Sequence, residues 1–225
     1  MNEAHSPSCG CAPCISARMA GEITWLSVDL TTFCDRRCPN CSVGIGIHRK
    51  LQHHPWEYFE QVAPYIQGMK EIKITGGEPT IHPQFAEFVP RFKDLFGCEK
   101  LTLNTDGFRV PMYRELIEKH FDHVYFTHYE TPVSERASAA LAGIDVPLNT
   151  FMAGKNAVNF TPRSRRGAGG PCDRAGLASY SDGKFYGCCV APGIEGSVGI
   201  EPSMDWKQQI GSVPLPCKDC LFSPA

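Results

Sequence analysis

Apolar and polar positions follow two rhythms that alternate along the chain. Short runs that are apolar at every second position or nearly throughout predict five strands, at residues 23–30, 71–75, 100–104, 123–127 and 144–150. Between them apolar residues recur at three- and four-residue spacing. Trp56, Phe59, Val62, Ala63 and Ile66 predict a helix that Pro55 opens. Phe85, Phe88, Val89, Phe92, Leu95 and Phe96 predict a second, kinked at Pro90 and stopped at Gly97. Residues 111–119 and 133–142 give two more. Strand and helix in alternation imply parallel strands with helices outside, an α/β fold that we read as an open partial (β/α) barrel of about five to six parallel strands.

After Phe151 the pattern changes to Gly, Arg and Asn as far as Gly170. A hairpin is expected over residues 177–188, turning at Ser181-Asp182-Gly183-Lys184, and a short helix at 206–210. This C-terminal part is too small to stand on its own apolar core, so a metal centre is expected to hold it. Three parts result: an N-terminal tail at 1–21, a core at 22–160 and a C-terminal subdomain at 161–225.

With 225 residues, 42% hydrophobic and 20% charged, the chain has the makings of one globular domain with an appendage. Its net charge of -2 offers no global field for nucleic acid or an anionic membrane. Apolar runs such as Val124-Tyr125-Phe126 fall far short of the ~20 residues of a membrane helix. We therefore expect a cytoplasmic protein with no membrane partner and no nucleic-acid partner.

Twelve cysteines are too many for an ordinary cytosolic core. They fall at Cys9, Cys11 and Cys14; at Cys34, Cys38 and Cys41; at Cys172, Cys188, Cys189, Cys217 and Cys220; and at the isolated Cys98. The middle group directly follows the first strand, at the end where barrel sheets carry their active sites. Three thiolates on one loop can ligate three irons of a cubane and leave the fourth open to a small molecule. A zinc knuckle would want four ligands at paired spacings, and a disulfide framework would not crowd three cysteines into eight residues.

This C-x-x-x-C-x-x-C resembles the signature of the radical S-adenosylmethionine (radical SAM) superfamily, and Gly76-Gly77-Glu78-Pro79 after the second strand resembles that superfamily's G-G-E-P segment. The resemblance implies a 4Fe-4S cluster on Cys34, Cys38 and Cys41, with SAM bound to it and its methionyl amino group held by the segment at Gly76, Gly77 and Glu78. It also implies reductive cleavage of SAM to a 5'-deoxyadenosyl radical, fed by a flavodoxin- or ferredoxin-type reductant. Asn40 stands where the family often has an aromatic residue against the adenine.

The last cysteines resemble the auxiliary-cluster region of the SPASM/twitch subgroup. That implies a second 4Fe-4S cluster on Cys172, Cys188, Cys217 and Cys220, with Cys189 an alternative to Cys188; a zinc ribbon on the same four residues has the same spacing. A short core with one auxiliary site looks most like dehydrogenases of the butirosin-pathway aminocyclitol type, in which the auxiliary cluster can accept an electron from the substrate. Arg165 or Arg166 then becomes a candidate substrate contact, and Arg166 also a candidate for the SAM carboxylate.

Other polar groups at strand ends, Asn104, Thr105, Asp106, His128 and Glu130, are candidates for ribose or substrate, or simple turn caps. Arg163, Arg165, Arg166 and Arg174 form either a solvated loop or an anion site. His48, His53 and His54 are expected at the surface or as caps. Cys98 is expected as a buried small apolar residue, and the first three cysteines as a third site or an oxidisable tail. The function implied is oxidation of a small polar molecule; maturation of a ribosomal peptide, modification of a nucleoside and a non-catalytic iron-sulfur carrier are the competing readings.

Overall fold

The computed structural model describes residues 23–36, 38, 41, 43–45, 49–129, 131–152, 177–188, 191–193 and 196–213. In chain order the elements are β1 (Trp25–Thr31), α1 (Trp56–Ile66), β2 (Glu71–Gly76), α2 (Phe85–Phe96), β3 (Lys100–Thr105), α3 (Val110–His120), β4 (His123–His128), α4 (Pro132–Leu141), β5 (Leu148–Met152), β6 (Leu177–Ser181), β7 (Lys184–Tyr186) and α5 (Trp206–Ser212). They build one seven-stranded sheet in the order β5-β4-β3-β2-β1-β6-β7. Every pairing is parallel except that of β7 with β6.

The five expected strands are β1 to β5, and β6 supplies a sixth parallel strand. Leu177 pairs with Trp25 and Tyr180 with Val28, so the hairpin expected near the C-terminus extends the central sheet beside β1. Leu26, Val28, Leu30, Ile72, Ile74, Leu101 and Leu103 are fully buried on alternate strand positions, and they share one core with Phe59, Val62 and Ile66 of α1 and Phe85, Phe88, Phe92 and Phe96 of α2. Trp206 of α5 joins that core. Its ring stacks on Phe185 of β7 at 4.1 Å, and its indole Nε1 donates to the Tyr65 carbonyl at the end of α1 at 2.9 Å.

Some boundaries differ from the sequence reading for local reasons. The second helix runs through Pro90 as one element and stops at Gly97, whose φ of 56° lets its N–H close on the Lys93 carbonyl. Irregularity falls in α3 instead, where Tyr113 leaves helical geometry. Strand β5 begins at Leu148 because Pro147 has no N–H for the ladder, although its carbonyl still accepts from Val124.

A larger correction concerns the histidines. After the cysteine loop the chain returns antiparallel along the end of β1: Thr31 bridges His53, and the His54 N–H donates to the Leu30 carbonyl at 3.2 Å. His54 is therefore buried and stacked on Tyr58 at 3.9 Å, against the surface or capping role expected of it, while His53 is half-buried and stacks on Phe33 at 4.4 Å. His48 lies outside the described residues. No described helix is long and apolar enough to cross a membrane.

Candidate active site

The C-terminal ends of β1, β2 and β3 stand side by side, and the segments leaving them interlock. Gly77 N–H donates to the Thr31 carbonyl at 2.7 Å and Glu78 N–H to the Phe33 carbonyl at 2.8 Å, so the Gly-Gly-Glu segment lies backbone to backbone against the start of the cysteine loop. The glycines are needed for that approach. A Cβ on Gly76 would sit 2.1 Å from the Thr31 carbonyl oxygen, and one on Gly77 would sit 2.0 Å from that of Phe33 and 3.1 Å from Cys34 Cβ. Gly76 also has φ of 129°, which side chains rarely adopt. Here the glycines admit the protein's own cysteine loop.

Cys34, Cys38 and Cys41 are half-buried free thiols on that loop. Burial pushes the Cys34 thiol up to about 12, against the opposing pull of the Arg36 N–H, which donates to its sulfur at 3.4 Å. Cys38 is raised, first by burial and then by Cys41, with Arg36 pulling the other way. Thiolates here are costly without a bound cation, which suits an iron-sulfur cluster as the partner. Among the described residues no three Cys, His, Asp or Glu side chains close on a single metal ion. Three thiols that each take a different iron of a cubane need no such common point. The donor set and its placement therefore fit the cluster implied by the motif.

The loop is braced by a residue that sequence inspection passes over. Arg36 Nε meets Asp106 Oδ2 at 2.8 Å just past β3, its Nη2 reaches Ser134 Oγ on α4 at 3.4 Å, and its guanidinium lies 4.2 Å over the Tyr129 ring just past β4. Asp35 adds an ion pair with Arg109 at 2.7 Å, at the start of α3. These partners lie 70 to 98 residues from Arg36 in sequence, so spacing carried no signal of them.

Glu78 is buried among four donors. Its Oε1 accepts from Thr80 N–H at 3.1 Å, Thr80 Oγ1 at 2.6 Å and Thr105 Oγ1 at 2.8 Å, and its Oε2 accepts from Asp106 N–H at 2.7 Å. The carboxylate thus fixes the segments that follow β2 and β3 to each other. Burial first and Asp106 second raise its pKa from 4.5 to about 7, partly offset by the bonds from Thr80, Asp106 and Thr105. Asp106 is raised too, chiefly by burial. Because the folded protein holds this proton more tightly than the unfolded chain, ionisation of Glu78 removes stability as pH rises from about 4.5 through about 7. Thermal melts of the metal-free protein should fall across that window, and Glu78→Gln should flatten the fall; an identical slope in the variant would contradict this placement of the charge.

The other expected site residues are dispersed. Asn104 faces Thr75 across the β2–β3 pair at 3.5 Å, near the same sheet edge. His128 ends β4 buried, with Nε2 3.5 Å from Glu135 Oε1 on α4. Cys188 follows β7, buried, and its carbonyl accepts from Ser179 Oγ at 3.2 Å. Cys98 is buried in the core as expected, with burial pushing its thiol up to about 11. Asn40, Glu130, Arg163, Arg165, Arg166, Arg174, Cys172, Cys189, Cys217 and Cys220, and Cys9, Cys11 and Cys14, lie outside the described residues.

Comparison with known proteins agrees with this geometry. The chain is 33% identical over 100 residues to the GTP 3',8-cyclase of Heliobacterium modesticaldum, a match covering 42% of this chain and 30% of that protein. It is 32% identical over 95 residues to the GTP 3',8-cyclase of Pelotomaculum thermopropionicum, covering 40% and 29%. The matches thus span less than a third of these curated relatives' length. Among solved structures, BtrN in complex with AdoMet and 2-DOIA superposes with a TM-score of 0.56 over 84% of this chain and 79% of that one, at 13% identity, which shows a shared fold. The likeness matches the butirosin-type resemblance read from sequence. A family model described as the radical SAM superfamily matches residues 28–129, the stretch that holds the three-cysteine loop, the Gly-Gly-Glu-Pro segment and the ends of β1 to β4. Residues 28–129 are thus identified as a radical SAM domain.

Proposed function

We propose that this enzyme removes a hydrogen atom from a small polar substrate and carries it on to a two-electron oxidation, with a second 4Fe-4S cluster as the acceptor of the second electron. The observation that carries the reading is the backbone interlock of the cysteine loop with the Gly-Gly-Glu segment at adjacent strand ends. A protein that only carried electrons would need neither an open iron nor a second strand end built around it.

When bound, the cluster on Cys34, Cys38 and Cys41 and the SAM beside it would supply one-electron cleavage and a hydrogen-abstracting organic radical. The chain's own residues hold and aim. Arg36, through Asp106, Tyr129 and Ser134, fixes the loop against the ends of β3 and β4 and the start of α4, while Glu78 locks the segments after β2 and β3 into one rim. Gly76 and Gly77 keep the rim close to the loop. Asn40, Asn104, His128 and Arg166 are proposed contacts for SAM or substrate, and a flavodoxin- or ferredoxin-type protein the source of the first electron.

The fold likeness to BtrN over most of both chains supports a small polar substrate. A nucleotide substrate is the second reading, favoured by the GTP 3',8-cyclase relatives. Deoxyadenosine formation stimulated by polyols supports the first, and stimulation by GTP supports the second. A protein that binds no SAM after reconstitution is not an enzyme of this kind. For the second cluster, Cys172, Cys188, Cys217 and Cys220 are the proposed ligands. Replacing Cys217 and Cys220 with Ala should lower iron by about four per chain while SAM cleavage without product persists; unchanged iron would remove the C-terminal cysteines from any cluster.

A further inference from the structure

The chain that returns from the cysteine loop is gripped on two sides. On one side it zips onto β1: the Thr32 N–H donates to the Gln52 carbonyl at 2.9 Å, the Gln52 N–H to Thr32 Oγ1 at 2.7 Å, and Thr32 Oγ1 to the Lys50 carbonyl at 2.7 Å. On the other it meets the C-terminal hairpin through Arg49, whose side chain is 3% exposed. Arg49 Nη2 lies 2.7 Å from Asp29 Oδ2 on β1, and its Nε and Nη2 make a fork on Asp182 at 2.9 and 3.2 Å in the β6–β7 turn. Ser181 donates to Asp29, and Gln52 Nε2 donates to Asp182 at 3.1 Å. Asp182 alone among described non-glycine residues has a positive φ, 50°, a backbone state that costs energy and here aims its carboxylate at Arg49.

A second, independent contact lies closer to the cysteines. Gly44 follows Cys41 by three residues, and its N–H donates to the Cys41 carbonyl at 3.0 Å. Its backbone lies directly against Gly193 of the 3-10 turn Ala191–Gly193. A Cβ on Gly44 would be 2.7 Å from Gly193 Cα, and one on Gly193 would be 2.4 Å from the Val43 carbonyl carbon. Two glycines are needed for that seam. Nothing in the motif spacing requires residues 181–193 to touch the loop, yet they do so through an ion-pair fork and through bare backbone.

We propose that the β6–β7 hairpin and the Ala191–Gly193 turn form a clamp that sets the position of Cys41, with Arg49 as its positioning residue. The planar guanidinium is buried and bonds Asp182 through two nitrogens, so it fixes distance and direction where a lysine would fix only charge. The C-terminal region then acts on the loop of Cys34, Cys38 and Cys41 whether or not it binds a cluster of its own. The clamp rests on the reading of Cys34, Cys38 and Cys41 as cluster ligands only for its spectroscopic consequence.

The test uses the full chain and two substitutions that touch no cysteine, Arg49→Met and Gly193→Ala, with Arg49→Lys as the conservative partner. Hydrogen exchange of the protein as isolated should show amides in residues 43–52 opening at least about tenfold faster in both, with those of β3 and β4 unchanged. After reconstitution, the paramagnetic resonance spectrum of the reduced cluster should shift or broaden in both variants, and Arg49→Lys should recover part of the wild-type signal. Gly193→Ala keeps every charge, so its result stands even if Arg49→Met does not fold. Unchanged exchange at 43–52 in Gly193→Ala would overturn the clamp. If exchange changes but wild-type protein takes up no iron, the clamp survives and the cluster reading fails.

Discussion

Replacing Cys34, Cys38 and Cys41 with alanine is expected to abolish 5'-deoxyadenosine formation while leaving the protein folded. The three thiols are half-buried on a loop and outside the apolar core, so their loss removes ligands without opening a core cavity. Burial that holds Cys34 near 12 and raises Cys38 disfavours thiolates unless a cation repays the cost. With the ligands gone, the site has no means to retain iron, and SAM has no open metal to bind. Any iron held by the C-terminal cysteines should remain. Chromatographic assay for deoxyadenosine, with iron counted on the same samples and folding followed by circular dichroism, checks each part. Cleavage above the no-protein background in the triple variant would remove the loop from the chemistry.

Gly77→Ala should come close to the same loss although Gly77 ligates nothing. The added methyl would start 2.0 Å from the Phe33 carbonyl oxygen and 2.5 Å from its carbon, and that carbonyl already accepts the Glu78 N–H. Relief requires the Gly-Gly-Glu segment and the residue just before Cys34 to separate by about an ångström, a misplacement that typically costs on the order of a hundredfold in rate. Overpacking of this kind also costs roughly 1 to 3 kcal/mol of stability. Gly143→Ala is the matched control. Gly143 has φ of 72° but nothing within 4 Å of a Cβ, so its substitution carries backbone strain of roughly 1 kcal/mol and no displacement of the loop. Deoxyadenosine formation should survive in Gly143→Ala and fall in Gly77→Ala. Equal activity in the two would mean that the interlock does not position the site.

Much of this was legible in the chain because the relevant signals are local. Alternation and three-to-four spacing located β1 to β5 and α1 to α4 with small shifts at their ends, and Gly97 stopped its helix for the reason a sequence can show. The three-cysteine loop and Gly76-Gly77-Glu78-Pro79 are short motifs whose meaning lies in their own spacing. What stayed hidden depends on distant partners. The seating of β6 beside β1, the brace from Arg36 to Asp106 and the burial of His54 each join residues far apart in sequence. Asp182-Gly183 was readable as a turn, but the Arg49 fork onto Asp182 spans 133 residues and leaves no trace in either segment. Glu78 shows both sides. Its place in the motif marked it as important, while two of its four donors, the Thr105 hydroxyl and the Asp106 N–H, emerge only when β2 and β3 lie together.

Anaerobic reconstitution with iron and sulfide, followed by addition of SAM and a strong reductant, tests the central assignment most directly. The account predicts about eight irons per chain, four for each cubane, and 5'-deoxyadenosine that disappears when Cys34, Cys38 and Cys41 are replaced. A reconstituted, folded protein that forms no deoxyadenosine with any reductant would contradict it, and the interlocked strand ends would then have to serve something other than radical chemistry.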